Sequence, residues 1–176
     1  MIEVRQLSSL EARHHLSQLA AILVDCVEGG ASVSFMSPFT QSDAEAFFEN
    51  VIAAVHRKER ILIAAFHDDK PVGTVQVIIA TPPNQPHRGE IAKMLVHRAA
   101  RGQGIAAQLL HHAEQAAREA GKTLLNMDTV SGGVAERIYE RCGWTKAGVI
   151  PNYALMPDGT PCDTTIFWKD LSISDE

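Results

Sequence analysis

The segment that most restricts how this chain can fold is Arg101-Gly102-Gln103-Gly104-Ile105-Ala106-Ala107. An apolar run over 90–97 leads into it. Ile105, Leu109, Ala113 and Ala116 follow at helical spacing, and Gly121 is placed to stop that helix. A strand, a glycine-turned loop and a long helix over 104–120 therefore come in that order. The first amides of a helix have no partner within it, and the helix dipole adds positive partial charge at the same end. Such a loop suits a phosphate or pyrophosphate.

Two patterns describe these residues. Gly102-x-Gly104-x-x-Ala107 fits the dinucleotide fingerprint, and Asp128 stands about twenty residues further on, where a ribose-binding acid would sit. Arg101-x-x-Gly104-x-Ala106 instead describes a loop whose amides wrap a pyrophosphate ahead of a helix. The surroundings oppose the first pattern. Residues 97–101 intervene before the first glycine, whereas a dinucleotide turn follows its strand almost directly. The loop also lies past the middle of the chain, and what remains is too short to complete a six-stranded parallel sheet. A helix start with two incidental glycines would use the same residues and bind nothing.

A chain of 176 residues suits one domain, residues 1–176. Residues 2–7 alternate as a strand. Ser8 and Glu11 offer a capping box for a helix that carries Leu16, Leu19, Ala20, Leu23 and Val27 on to Gly29-Gly30. After a loop over 31–39, a second helix is expected from Ser42, with Glu45 completing its box and Phe47, Phe48, Val51, Ile52 and Val55 forming its apolar face. Strands over 61–67 and 72–80 flank Asp68-Asp69-Lys70-Pro71, short enough for an antiparallel hairpin. A proline-rich surface loop spans 81–87. A strand over 123–129 and a short helix over 134–142 follow the long helix. Two last strands surround Pro157-Asp158-Gly159-Thr160. The order β-α-α-β-β-β-α-β-α-β-β predicts an α/β fold, a mixed and mostly antiparallel sheet flanked by helices.

Charge and cysteine usage narrow the partners. A net charge of −5 argues against nucleic acid, whose binding is dominated by basic contacts to phosphate. Cys26, Cys142 and Cys162 are odd in number and lack CxxC spacing, which fits a reducing compartment and gives no disulfide framework or metal site. The doublets His14-His15 and His111-His112 point to different helix faces without zincin-like spacing, so solvent exposure is expected. No run is long enough for a signal peptide or a membrane span, so a cytoplasmic protein without a membrane partner is expected.

Met94-Leu95-Val96-His97-Arg98-Ala99-Ala100-Arg101-Gly102-Gln103-Gly104-Ile105-Ala106 resembles motif A of the GNAT superfamily of N-acetyltransferases. Ala135-Glu136-Arg137-Ile138-Tyr139-Glu140-Arg141-Cys142-Gly143-Trp144 resembles its motif B, at the usual separation. Gly132 departs from that pattern, because many members carry an asparagine there that helps hold the cofactor. The segment 28–36, with Pro151-Asn152-Tyr153 and Pro157-Asp158-Gly159, is similar to tabtoxin-resistance-type acetyltransferases.

The resemblance implies acetyl-CoA as co-substrate, a GNAT-like sheet and direct attack of a primary amine on the thioester. It implies a pyrophosphate held by Arg101, Gly102, Gln103, Gly104, Ile105, Ala106 and Ala107, and a pantetheine arm lying along Leu95-Val96, the Leu95 amide polarising the thioester carbonyl. It places Tyr139 near the cofactor sulfur as general acid. Glu90 and Asp128, on strands that are parallel neighbours in such a fold, are the base candidates. Paired carboxylates facing one cleft would raise one another's affinity for a proton. Gly30, Ser32 and Phe35 are the candidate acceptor wall. A small-molecule amine (an antibiotic, toxin or amino acid) is the expected acceptor, with the chain a monomer or homodimer. The alternatives are a protein N-terminus or lysine as acceptor, and a non-catalytic acyl-CoA sensor.

Overall fold

The structure is a computed structural model that describes residues 1–173. Its strands are β1 (Ile2–Leu7), β2 (Arg60–His67), β3 (Lys70–Ile78), β4 (Arg88–Val96), β5 (Leu124–Val130), β6 (Thr145–Leu155) and β7 (Pro161–Asp170). Its helices are α1 (Ser9–His14), α2 (Leu16–Glu28), α3 (Gln41–His56), α4 (Ile105–Glu119) and α5 (Val134–Arg141). The strands form one sheet in the order β1-β2-β3-β4-β5-β7-β6. Every neighbouring pair is antiparallel except β4 and β5.

Helices cover both faces of the sheet around β2 and β3, which are buried on two sides, whereas β6 at the edge is almost wholly exposed, and alternation sorts the buried residues between two cores. Ile61, Ile63, Ala65, Val75, Val77, Ile91, Leu125, Met127 and Phe167 pack with α4 and α5 on one face. Leu62, Ala64, Phe66 and Leu95 pack with α1, α2 and α3 on the other. β1 follows the same rule: Ile2 and Val4 join the first core, Leu7 the second, and Gln6 is exposed.

Local chemistry explains most element ends, and in three places it differs from the expectation. The Ser8–Glu11 capping box forms, but the helix it starts ends at His14, and α2 restarts from His15 with no side-chain cap. No glycine or proline marks this break. The N-cap of α3 is Thr40, whose hydroxyl and backbone N–H are met by Asp43, rather than Ser42 with Glu45. Both frames fit the same short pattern. Thr40 is extended at φ −103° and ψ 163°, which the cap position needs, whereas Ser42 already lies inside the helix. The β2–β3 turn narrows to Asp68 and Asp69, both at positive φ as a two-residue hairpin turn requires.

Candidate active site

Three pieces of backbone meet at the centre of the sheet. The parallel pairing of β4 with β5 covers only Arg88–Leu124, Gly89–Leu125 and Glu90–Asn126. β4 then continues to Val96 along β3, while β5 continues to Val130 along β7. Between them a gap opens in the sheet. A bulge in β4 helps to open it: Gln76 of β3 lies opposite Ala92 and Thr74 opposite Leu95, so β4 uses one more residue than β3. Lys93, at φ +51°, is the residue that absorbs the bulge.

Beyond the bulge the peptide directions are defined. The His97 N–H donates to the Val72 carbonyl of β3 at 2.9 Å, and a Cβ added to Gly73 would stand 3.0 Å from the Leu95 carbonyl oxygen. The Leu95 peptide therefore faces β3. Successive peptides in a strand face opposite sides, so the amides of Met94 and Val96 face the gap. This corrects the expectation for Leu95: its amide is turned into the sheet. Its side chain is 2% exposed within the core under α2 and α3.

The glycine loop lies at the end of that strand. Gly102 and Gly104 sit at φ +79° and +73°, and a Cβ built on either would meet nothing within 4 Å. Gly104 is the N-cap of α4, and Gln108 N–H makes the first helical bond, to the Gly104 carbonyl at 3.2 Å. The amides of Ile105, Ala106 and Ala107 are left ahead of that bond, at the positive end of the helix dipole. The loop's outer surface is thus bare backbone. Gln103 and Ala107 are exposed beside it. Arg101 turns back instead: its Nε donates to the Val96 carbonyl at 3.1 Å, and its Nη2 reaches Cys26 Sγ at 3.8 Å. Asp25 fastens the preceding turn, accepting from the Arg98 backbone at 2.8 Å and from Arg98 Nε at 2.9 Å. The Asp25 carboxyl is held below its ordinary range. Burial opposes this, but the Arg98 bonds and the nearby His97 outweigh it.

Gly132, at φ +78°, is held by the Glu136 carboxylate, which accepts its N–H. That bond, joined by others from Lys146 and Thr165, fixes the start of α5 and keeps the Glu136 carboxyl low despite partial burial. From α5, Tyr139 points inward, 5% exposed, with its ring 5.7 Å from that of Phe167 and edge-on to it. Burial pushes its phenol well up, with the negative charge of Asp128 and the neighbouring Cys142 adding to the effect, so the hydroxyl stays protonated. Tyr139 belongs to the core beneath α4 and α5. Glu90 and Asp128 belong to the other face, as Glu90 pairs with Asn126 and alternation puts Asp128 on the same side. The gap between β4 and β5 is the place where the two faces meet.

On the carboxylate side lies a cleft of about 300 Å³, lined by Ser32, Ser34, Met36, Asp128, Thr129, Val130, Tyr153, Ala154, Leu155 and Thr164. Two bonds close its outer edge: Ser32 Oγ donates to the Leu155 carbonyl at 2.9 Å, and Ser37 N–H to the Pro157 carbonyl at 2.9 Å. Of the residues expected in the acceptor wall, Ser32 lines this cleft. Gly30 makes the turn that ends α2, at φ +89°. Phe35 packs on Phe39 and Phe47, with ring centroids 4.6 and 5.2 Å away. Ser34 and Met36 take the positions facing the cleft.

Lys93 is the residue that the sequence did not single out. Its Nζ donates to Ser34 Oγ at 3.0 Å, and Asp128 and Glu90 both act on it electrostatically. Both carboxylates therefore lie in the field of one ammonium, without a salt bridge to it among the described residues.

A family model, the acetyltransferase (GNAT) family, matches residues 26–144. The chain belongs to that family, whose members use acetyl-CoA as co-substrate. Its fold is shared with an N-acetyltransferase from Staphylococcus aureus Mu50 (21% identity, 97% of this chain and 99% of that one, TM-score 0.80). It is shared with a protein provisionally assigned as a phosphinothricin N-acetyltransferase (20%, 98% and 100%, 0.79). A protein from Salmonella typhimurium provisionally assigned as an acetyltransferase, solved with its cofactor acetyl-CoA, is also similar (17%, 100% and 97%, 0.78). At these identities the likeness is one of fold. Among the described residues no helix is long and apolar enough to cross a membrane, and no cluster of His, Cys, Asp and Glu could hold a metal ion.

Proposed function

We propose that this chain transfers an acetyl group from acetyl-CoA to the primary amine of a small molecule. The observation that carries the choice of acceptor is the closure of the cleft. Loop 31–39 is bonded to the β6–β7 hairpin through Ser32 and Ser37, leaving about 300 Å³. That is the low end of the range for small-molecule sites. A peptide threaded as acceptor would have to part those bonds.

The residues present fit the co-substrate. The bare amides of Ile105, Ala106 and Ala107, beside two glycines whose Cβ positions are open, suit a pyrophosphate. The gap beside β4 suits an extended arm, and acetyl-CoA supplies the activated acyl thioester there. In this scheme the amides of Met94 and Val96 donate to the thioester carbonyl, where negative charge develops during transfer. Arg101 braces the strand end and does not itself meet the phosphates. Asp128 or Glu90 takes the proton of the incoming amine, directly or through water. Tyr139, kept protonated by its burial, delivers a proton to the departing thiolate from the opposite face. The segment 28–36 and the β6–β7 hairpin, which together wall the cleft, support a toxin-resistance type of acceptor.

The test has two parts. Acetyl-CoA, and not NAD(H), should raise the unfolding temperature, since a ligand bound only to the native state stabilises it. A library of small amines, read by release of the CoA thiol, should contain acceptors. A chain that binds acetyl-CoA and turns over no amine would be a sensor. One that acetylates only peptides would have a protein acceptor.

A further inference from the structure

Lys93 occupies a costly position. It is a non-glycine residue at φ +51° in mid-strand, a conformation that persists only where the surroundings impose it and that re-aims the side chain. The re-aimed chain brings its ammonium to Ser34 Oγ at 3.0 Å and to 5.9 Å from the centroid of the Phe35 ring. Ser34 and Asp128 both line the cleft, and the ammonium adjoins that lining through its bond to Ser34.

An ammonium has three donors, and Ser34 uses one of them. Asp128 and Glu90 lie within electrostatic reach, yet neither forms an ion pair with Lys93 among the described residues. Burial pushes the ammonium below its ordinary range, Asp128 opposes that, Arg60 deepens it and Glu90 opposes it again. A partly desolvated cation with donors to spare is stabilised by an acceptor that the chain itself does not provide. Asp128, of opposite charge, is part of the cleft lining. The cleft therefore has one anion in its lining and one cation bonded to its lining through Ser34, each with capacity left for a ligand.

We infer that Lys93 binds a carboxylate of the acceptor while Asp128 receives its amine, so that the preferred acceptors are amino-acid-like zwitterions. This rests on the acetyl-transfer reading and adds to it the charge of the acceptor. Lys93 is then a specificity-determining residue, and the bulge in β4 is the device that aims it. Fastening of loop 31–39 through Ser34 is the competing role, and it predicts no dependence on acceptor charge.

The experiment compares L-amino acids with their carboxamides, which keep size and amine but lose the anion. Wild-type kcat/KM should favour the acids. In Lys93→Met, which keeps the length of the chain over Phe35, the acid-to-amide ratio should fall about tenfold to a hundredfold, the size expected for losing a charge-assisted bond. Lys93→Arg should restore part of the ratio. Retention of the wild-type unfolding temperature and acetyl-CoA affinity in Lys93→Met would show that the variant is folded. Equal wild-type rates for acids and amides would overturn the inference while leaving acetyl transfer intact. An equal loss for both classes in Lys93→Met would overturn it in favour of the loop-fastening role. Absence of CoA thiol release with every amine tried, despite acetyl-CoA binding, would remove the acetyl-transfer reading and this inference with it.

Discussion

Gly104→Val separates the conformational role of the glycine loop from its binding role. The added Cβ meets nothing within 4 Å, so the cost of folding comes chiefly from φ +73°. An L-residue in that region costs about 1–2 kcal/mol, and for a chain of this size each kcal/mol shifts Tm by roughly 2–4 °C. The variant should therefore fold, with Tm lower by about 2–8 °C. Its isopropyl group would occupy open space at the N-cap, beside the Ile105 and Ala106 amides in sequence, and in the proposed scheme would crowd an anion bound there. Loss of even one hydrogen bond to an anion there should weaken acetyl-CoA about tenfold to a hundredfold. Gly121→Val is the matched control. Gly121 has φ +79° and equally open space, but it lies past the other end of α4, a helix about 22 Å long at 1.5 Å per residue. Thermal unfolding and calorimetric titration with acetyl-CoA on both variants decide the matter. Similar Tm losses with affinity lost only in Gly104→Val are expected. If both variants bind like wild type, the loop does not hold the co-substrate.

Three other perturbations test the rest of the site. Tyr139→Phe should lower kcat by about a hundredfold to ten-thousandfold and leave acetyl-CoA affinity almost intact; an acyl donor with a better leaving group should recover much of the loss, and equal impairment with both donors would exclude the general-acid role. Glu90→Gln and Asp128→Asn, singly and combined, should reduce turnover; a double variant matching wild type at every pH would exclude both as base. Glu136→Gln tests the anchor of α5. The carboxyl's folded-state value lies below its ordinary 4.5, so its stabilisation is complete above that value and is lost as pH falls through the folded one. Tm of the variant should therefore fall less steeply than wild type between about pH 5 and pH 3, and parallel profiles would contradict the assignment.

What the sequence disclosed was what short-range chemistry determines. Gly102, Gly104 and Gly121 each announce a left-handed turn, so the loop and both ends of α4 are readable without a structure. The parallel neighbours of the loop helix follow from connection rules, which is why Glu90 and Asp128 could be placed on the same strands that the structure gives them. Long-range partners were not legible. Nothing local distinguishes Phe35, which turns to Phe39 and Phe47, from Met36, which faces the cleft. Lys93 carries no signal at all, because lysine is an unusual residue at positive φ and only the β3–β4 register shows the bulge. The Leu95 amide shows the same limit: a motif names the strand, but one residue of register decides which peptide faces the gap.

The position of β7 has a consequence for the order in which the site is built. β7 follows β6 in the chain yet lies inside it in the sheet, paired with β5 along Leu124–Asp170 to Val130–Thr164. As the polypeptide leaves the ribosome, the glycine loop, α4 and α5 are made before either of these strands. The loop and α4 are then present while β5 still has a bare edge and Asp128 has no wall beside it, whereas the anchor of α5 waits for Lys146 of β6 and Thr165 of β7. Insertion of β7 pairs Ile166 with Asp128 and carries the hairpin that brings Leu155 and Pro157 to Ser32 and Ser37. The wall against which loop 31–39 closes is thus made after every other element of the cleft.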